Sequence, residues 1–334
     1  MIFSERVSKK ISIIIVTWNN ENTISQCLKS VFSQTIEFQK EVIVVDNASS
    51  DDTVELVECW PNIQVIRNSE NLGFCAANNQ AIFTAQGEFI LLLNPDTLLK
   101  DNYLIPAIQR MQHHSDVALL TGKILSMNST GCPVLKDGVP VIDSAGIAMK
   151  RNRQAVDIGQ GEKDHGQYDQ EGEVFGVSAA VCLCRRDALL EVAVEGQVFD
   201  EAFFMYKEDV DLSWRLRLRG WECYFTPYAV AYHARGWKKS LARKDVPRAV
   251  RFHSYKNHRL AILKNDNLSV ILPDLVHILG FELAAIIFVL FREAFLLKAY
   301  WDLLLSIPHI RRWRSAIHSR RDYSIREHLY QNHL

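Results

Sequence analysis

Phe89–Leu93 is a strand-like apolar run that stops abruptly at Asn94-Pro95-Asp96. A carboxylate at the end of a buried strand is costly to desolvate unless a partner offsets it, and a divalent cation is a usual partner. Far downstream, an aromatic stretch from Phe199 to Tyr206 leads into Glu208-Asp209-Val210-Asp211, and His233 then closes another apolar run. The chemistry these residue types suggest is a metal that holds a diphosphate while a carboxylate removes a proton.

Each group has a plainer reading. Acids in a first helical turn are favoured by the helix dipole, and one acid would satisfy that role. Three acids in four positions exceed it. Asp211 stands one turn from Arg215, spaced for a structural ion pair. Glu208 or Asp209 is then free to act as general base. A lone strand-end histidine is more often structural, but His233 runs into Ala234-Arg235-Gly236-Trp237-Lys238-Lys239, a basic, glycine-containing loop of the kind that closes over a site. His233 is therefore read as a metal or phosphate ligand. Asp211, Arg235 and Trp237 are taken as residues of an acceptor or diphosphate loop.

Alternating strand and helix patterns position these groups. Strands are expected at Ile11–Thr17, Glu41–Asp46, Ile63–Ile66, Phe89–Leu93 and Val117–Leu125, with helices over Glu21–Gln34, from near Asp51 with Ser49 or Ser50 as cap, Gly73–Gln86 and Tyr103–His113. That alternation predicts an α/β fold with a mostly parallel central sheet covered on both faces. Residues 127–172 lose the rhythm and read as an irregular, exposed insertion near the active face. Val174–Arg185 reads as a strand, Asp187–Val194 and Val210–Arg219 as helices, and Cys223–Tyr232 as an edge strand broken by Pro227. Everything after Pro247 reads as helical.

In such sheets ligands bind beyond the carboxyl ends of the strands. Three of those ends are polar: Thr17-Trp18-Asn19-Asn20-Glu21, Asp46-Asn47 and Asn94-Pro95-Asp96. Together they suit a nucleotide, with Asp46 accepting from base or ribose and Asp96 ligating metal at the diphosphate. Neither a G-x-G-x-x-G turn nor a P-loop is present, so the phosphates need another source of positive charge.

The 334 residues carry a net charge of -1, which gives no reason to expect a nucleic-acid partner. The seven cysteines are odd in number and irregular in spacing, which fits reduced, buried thiols rather than disulfides or a zinc site. Charges in the N-terminal segment run directly into a strand pattern, so no signal peptide is expected.

The segments SIIIVTWNNENTISQCLKSVFSQT, EVIVVDNASSDDT, NLGFCAANNQAI, FILLLNPDTLL, FDEAFFMYKEDVDLSWRLRLRGW and YAVAYHARG, in that order, resemble the family 2 inverting glycosyltransferases of the GT-A fold, in the bacterial rhamnosyltransferase-type branch. The resemblance implies that Thr17, Asn19, Glu21 and Asp46 hold nucleobase and ribose, with Asn47 beside them. It implies that Asn94-Pro95-Asp96 stands at the D-x-D position, Asn94 replacing the first aspartate and Asp96 contacting Mg²⁺ or Mn²⁺. Asp209 matches the catalytic base, and His233 matches a histidine that completes the metal site. The implied reaction is a single inverting displacement from a nucleotide-sugar donor, dTDP-rhamnose being favoured. The implied division is a catalytic unit over 1–240, with a donor-binding half (1–126) and an acceptor half (127–240), and a helical region over 241–334. Two alternatives stand beside it: nucleotidyl transfer onto a sugar phosphate, and an inactive scaffold that keeps the fold.

Residues 278–291, ILGFELAAIIFVLF, are apolar apart from Glu282 but short of the roughly 20 residues a membrane span needs. Their charges and those that follow do not fall on one stripe. A core helix, an interfacial helix and a helix joining a homodimer all fit. The cluster Arg311, Arg312, Arg314, Arg320 and Arg321 favours an anionic membrane surface. The expectation is a cytoplasmic protein, peripheral on the inner face of the cytoplasmic membrane, acting on a saccharide or lipid-linked acceptor of the cell envelope. His309-Ile310-Arg311-Arg312-Trp313 is similar to the Q-x-x-R-W signature of processive synthases, a likeness read as chance.

Overall fold

The computed structural model describes residues 9–235 and 243–319. The first half runs β1 (Lys10–Thr17), α1 (Ile24–Phe32), β2 (Gln39–Asp46), α2 (Thr53–Glu58), β3 (Ile63–Arg67), α3 (Gly73–Thr84), β4 (Phe89–Leu93), β5 (Thr97–Leu99), α4 (Leu104–His113) and β6 (Val117–Ser126). Five short strands follow: β7 (Leu135–Lys136), β8 (Val139–Pro140), β9 (Ile142–Ser144), β10 (Ile147–Met149) and β11 (Ala155–Asp157). Then come β12 (Gly172–Val174), β13 (Val181–Arg185), α5 (Arg186–Glu191), α6 (Glu208–Arg217) and β14 (Glu222–His233). Helices α7 (Arg248–Asn265), α8 (Leu268–Arg292), α9 (Lys298–Leu305) and α10 (Ile307–His318) complete the described chain.

One sheet has the order β12-β14-β6-β13-β4-β1-β2-β3, with β5 on β14 and β9 on β6. β4, β1, β2 and β3 are parallel neighbours. Thr17 pairs with Asp46, and Ile15 with Leu93, so the polar ends of β1, β2 and β4 reach the same rim. Alternate residues of these β-branched runs fill two cores. Ile14, Ile43, Val45, Ile90 and Leu92 face one, and Ile13, Ile15, Val44, Leu91 and Leu93 the other. Cys182 and Cys184 lie on the first face and Leu183 on the second, which is the alternation expected of that pair. The seven cysteines are free thiols; five are buried as expected, but Cys59 and Cys132 are exposed.

Several expectations need correction. Residues 127–172 are not an exposed insertion throughout: Ile142–Ser144 adds to the sheet beside β6, and Ile147–Met149 is buried. Strands of two or three residues leave no periodicity to detect. The segment Val174–Arg185 is two strands separated by a loop rather than one. β14 is no edge, since it lies between β6 and strands β12 and β5. Pro227 falls where the ladder to β6 skips from Thr226 to Val230, so its missing N–H breaks no bond there. Gly122 on β6 accommodates that bulge, because a Cβ would overlap the Ala229 carbonyl oxygen. Neither Ser49 nor Ser50 caps α2. Both are engaged by Asn19, Ser49 Oγ accepting from its N–H at 2.9 Å and the Ser50 N–H donating to its side-chain oxygen at 2.8 Å.

The apolar stretch around 278–291 belongs to a longer helix, α8, which passes through Pro273 and is long and apolar enough by length and composition to cross a membrane. Its acids do share a stripe. Asp274 accepts from Arg151 at 2.7 Å and Arg153 at 2.9 Å, and Glu282 accepts from Arg259 at 2.6 Å. With the acids turned toward the protein, the outward row is apolar: Leu272, Val276, Leu279, Leu283 and Phe291 are all exposed.

The C-terminal helices share the core of the sheet, since Leu260, Ala261, Leu303 and Ile310 pack in the same cluster as Leu92 and Leu216. They also bring a buried cation to α6. Lys264 donates to Asp200 at 2.5 Å and sits 3.0 Å from Asp211. Asp211 also accepts from Arg215 at 2.9 Å and Asn265 at 2.8 Å. Burial alone would push the Asp200 carboxyl up, but Lys264 and His309 hold it well below the ordinary range. His309 and Trp313 therefore have a packing role here, Trp313 lying 4.1 Å from the Lys264 ammonium.

Lys264→Met strips two buried carboxylates of their shared cation. The variant should lose about 3–5 kcal/mol of unfolding free energy, read from urea denaturation. A loss under about 1 kcal/mol, the size of an exposed pair, would remove this network as a main support of the fold.

Candidate functional site

A cleft of about 460 Å³ opens at the carboxyl rim of the sheet. Asp96 enters it from the turn after β4. β5 pairs antiparallel with β14 so that Thr97 faces His233, and the Ala234 N–H donates to the Asp96 carbonyl at 2.9 Å. Strand pairing thus brings Asp96 and His233 together, with Nε2 of the imidazole 3.4 Å from Asp96 Oδ1.

Behind the imidazole stands Asp143, on the β9 strand that borders β6. It accepts from His233 Nδ1 at 2.9 Å and from Arg235 Nε at 2.9 Å. Arg235 also pairs with Asp157 at 3.0 Å. Burial would lower the His233 pKa, but the bonds to Asp143 and Asp96 outweigh it and raise it to about 9. Asp143 is held below the ordinary carboxylate range despite its burial, by His233 and Arg235.

The opposite wall is the start of α6. Phe204, Tyr206 and Lys207 all take left-handed backbone conformations, with φ of 63°, 68° and 70°. Asn257 of α7, fully buried, donates to the carbonyls of Phe203, Met205 and Tyr206 at 2.8, 2.8 and 2.9 Å. The pinned turn delivers Glu208 and Asp209. Burial, then the neighbouring Asp209, pushes the Glu208 pKa up to about 8, and its Oε2 is buried without a partner. Burial also raises Asp209, with Lys207 pulling against it and Asp157 adding to it.

Asn94, Asp96, Glu208, Asp209, His233 and Arg235 line this one cleft. Thr17, Asn19, Glu21, Asp46 and Asn47 do not. They form an adjoining shelf at the ends of β1 and β2, where Asp46 accepts from the Ser49 N–H at 3.1 Å and keeps a buried Oδ1 without a partner. Glu21 accepts from the Asp52 N–H at 3.3 Å, and Thr17 donates to Asn20 at 3.0 Å. Asn47 links shelf to cleft by donating to the Gly73 carbonyl at 3.2 Å, beside Phe74. Asp211 departs from its expected place in an acceptor loop. It is 1% exposed, locked by Arg215, Lys264 and Asn265, and absent from the cleft lining. Trp237 and the other residues of the expected closing loop from 236 to 239 lie outside the described residues. Sequence reasoning missed Asp143, Asp157 and Asn257. The first two fall where periodicity fails, and the third is an unremarkable helical asparagine until its three carbonyl partners are seen.

Among the described residues no group of three or more His, Cys, Asp and Glu forms a ready metal cage. The two-residue set of Asp96 and His233 still fits a hard divalent ion that shares its remaining positions with phosphate oxygens and water. A ligating imidazole normally gives its other nitrogen to a carboxylate, which is the Asp143 arrangement.

A mostly parallel sheet whose carboxyl rim combines a polar shelf with a carboxylate-rich cleft is the arrangement of the GT-A fold. The Glycosyl transferase family 2 model matches residues 12–189, and the chain belongs to that family. It is 33% identical over 143 residues to a poly(ribitol-phosphate) beta-glucosyltransferase of Bacillus spizizenii, a match covering 40% of this chain and 22% of that protein. It is 25% identical over 227 residues to a poly-beta-1,6-N-acetyl-D-glucosamine synthase of Staphylococcus aureus, covering 66% and 49%. The chain thus matches half or less of the length of these curated relatives. Among solved structures, residues 1–349 of S. aureus TarS superpose with a TM-score of 0.57 at 18% identity, covering 93% of this chain and 90% of that one. GalNAc-T7 with UDP, GalNAc and Mn²⁺ superposes at 0.59 and 15% identity, covering 78% and 48%. These two likenesses establish the fold.

Asp143→Asn should lower the His233 pKa of the metal-free protein by about one unit or more, because the imidazolium loses a charged acceptor while its burial remains. The His233 ring resonances followed against pH by NMR read this directly. An unchanged titration would remove Asp143 as the group that sets the imidazole.

Proposed function

We propose that this chain is a metal-dependent inverting glycosyltransferase that adds one sugar to a hydroxyl of a lipid-linked cell-envelope saccharide. The observation that carries the reading is a single cleft lined by Asp96 and His233 on one wall and Asp209 on the other. Membership of family 2 supports glycosyl transfer as the reaction class. dTDP-rhamnose is the proposed donor, on the resemblance to the rhamnosyltransferase-type branch. The two curated relatives are named for glucose and N-acetylglucosamine transfer, so a panel of nucleotide sugars should include those donors.

In this reading Thr17, Asn19, Glu21, Asp46 and Asn47 hold the base and ribose, and Asn94 flanks the diphosphate. Asp96 and His233 would hold Mg²⁺ or Mn²⁺, which supplies neutralisation of the charge that develops on the leaving diphosphate. Asp209 removes the proton of the acceptor hydroxyl as its oxygen bonds to the anomeric carbon. The bond from that carbon to the diphosphate breaks on the opposite face, and the configuration inverts. A raised pKa makes Asp209 a stronger base than an ordinary carboxylate. Burial and the neighbouring Asp209 raise the Glu208 pKa, which favours a neutral carboxyl beside the base.

Purified protein with Mn²⁺ should release nucleoside diphosphate from the donor. Pyrophosphate release would mean nucleotidyl transfer, and silence with every donor tried would leave a scaffold. Asp209→Asn should reduce transfer by roughly 10²–10⁴-fold while nucleotide affinity stays within about threefold. A rate near that of the parent would remove Asp209 as base.

We also assign the outward face of α8 to the cytoplasmic membrane surface. Its acids turn toward the protein, and Trp301, Leu304 and Leu305 extend the apolar area. The full chain should float with vesicles containing phosphatidylglycerol, and the double variant Val276→Glu/Phe291→Glu should not. Equal flotation of both, or a lipid-free dimer that buries this face, would refute the assignment.

A further inference from the structure

A second cavity, of about 570 Å³, lies between α7 and α8. It is continuous with the catalytic cleft, because Ala155, Val156, Lys207 and Ser254 line both. One wall is apolar and comes from α8: Phe281, Ala285 and Phe288. That helix carries the exposed apolar row on its opposite side, so one helix both walls the groove and presents the face assigned to the membrane.

The other wall is cationic. Lys207, Arg243, Arg251 and Arg259 line the groove, and no carboxylate does. Two acids pair with the arginines. Glu293 pairs with Arg243 at 2.8 Å and with Arg251, and Glu282 pairs with Arg259 at 2.6 Å. Two carboxylates against three arginines leave a positive excess, while Lys207 is shared with Glu208 and Asp209 of the cleft. Lys207 forms no ion pair among the described residues, its one recorded bond being a 3.5 Å contact to the Ala155 carbonyl. Nε of Arg251, Nε of Arg259 and Nε2 of His258 are buried without partners. Arg259 is itself 7% exposed, stacked over Tyr255 with its guanidinium carbon 3.7 Å from the ring centroid. Buried donors beside an apolar wall match an amphiphile with an anionic head.

We infer that this groove is the acceptor subsite, and that it takes a phosphate or diphosphate joined to a hydrocarbon chain. The anionic head sits among Lys207, Arg251 and Arg259. The hydrocarbon lies along Phe281, Ala285 and Phe288. The saccharide beyond the phosphate passes Ala155, Val156 and Ser254 into the cleft, where its hydroxyl meets Asp209. This inference rests on the lipid-linked acceptor in the reading above. It assigns α8 a second task, forming the wall of a substrate channel as well as an anchor.

The test titrates the full chain, in nonionic detergent with EDTA, against farnesyl diphosphate, farnesol and inorganic diphosphate. EDTA removes metal-assisted capture of diphosphate at Asp96 and His233. Farnesyl diphosphate should bind at least about tenfold more tightly than either fragment, since each lacks one half of the recognition. Arg251→Gln and Ala285→Trp should each weaken it about tenfold. Thermal melting checks the fold. If Arg251→Gln melts early through loss of the Glu293 pair, Ala285→Trp, which fills the groove from the wall of an exposed helix, decides the matter. Parent-like affinity in Ala285→Trp, farnesol binding as well as its diphosphate, or inorganic diphosphate binding as well would each overturn the assignment. Nucleoside diphosphate release by the parent with Mn²⁺ is scored separately. Its absence would sink the transfer reading without deciding whether the groove binds the amphiphile.

Discussion

Three carbonyl groups gripped by one buried amide hold the catalytic segment in a shape it would not adopt alone. Left-handed backbone at non-glycine residues such as Phe204, Tyr206 and Lys207 costs on the order of 1–3 kcal/mol each. Asn257 answers it from α7 with two amide hydrogens shared among three carbonyls, and Gly73 leaves no side chain where the Phe204 ring must pass. Two helical turns further on, Lys264 and Asn265 hold Asp211 from the same helix. The C-terminal helices are therefore the brace that aims Glu208 and Asp209 into the cleft.

Charge crowding follows from that brace. Asp96, Asp157, Glu208 and Asp209 line one cleft, with Asp143 directly behind. His233, Arg235 and Lys207 are the cations at hand, and the first two are drawn toward Asp143 and Asp157. The result is a raised Glu208, a raised Asp209 and a carboxylate oxygen with no partner. Such a site favours an incoming cation and an anion that travels with it, which is how a metal-bound diphosphate would arrive. The same imbalance raises Asp209, the direction a general base requires.

Much of this was legible in the sequence. Long β-branched runs announced the parallel strands, and abrupt polar endings marked the rim where Asn94, Asp96 and the Thr17–Glu21 segment lie. Asp209 and His233 stood out because acids and a histidine interrupted otherwise apolar or aromatic stretches. What escaped was the support behind them. Asp143 and Asp157 sit on three-residue strands, too short to show a period. Asn257 looks like any polar residue on a mostly polar helix. Pro227 suggested an edge because a bulge that spares the ladder cannot be inferred from one proline. The stripe on α8 was hidden because Asp274 and Glu282 appear scattered until their partners, Arg151, Arg153 and Arg259, fix which side faces inward.

The account's central claim is that Asp96 and His233 meet a cation that carries a nucleoside diphosphate into the same cleft as Asp209. Anomalous diffraction at the manganese edge, from crystals grown with Mn²⁺ and dTDP, tests it most directly. The account predicts one peak in contact with the Asp96 carboxylate, His233 Nε2 and the diphosphate, with the Asp209 carboxylate across the cleft from it. A diphosphate seated without manganese, or manganese held away from both residues, would contradict it.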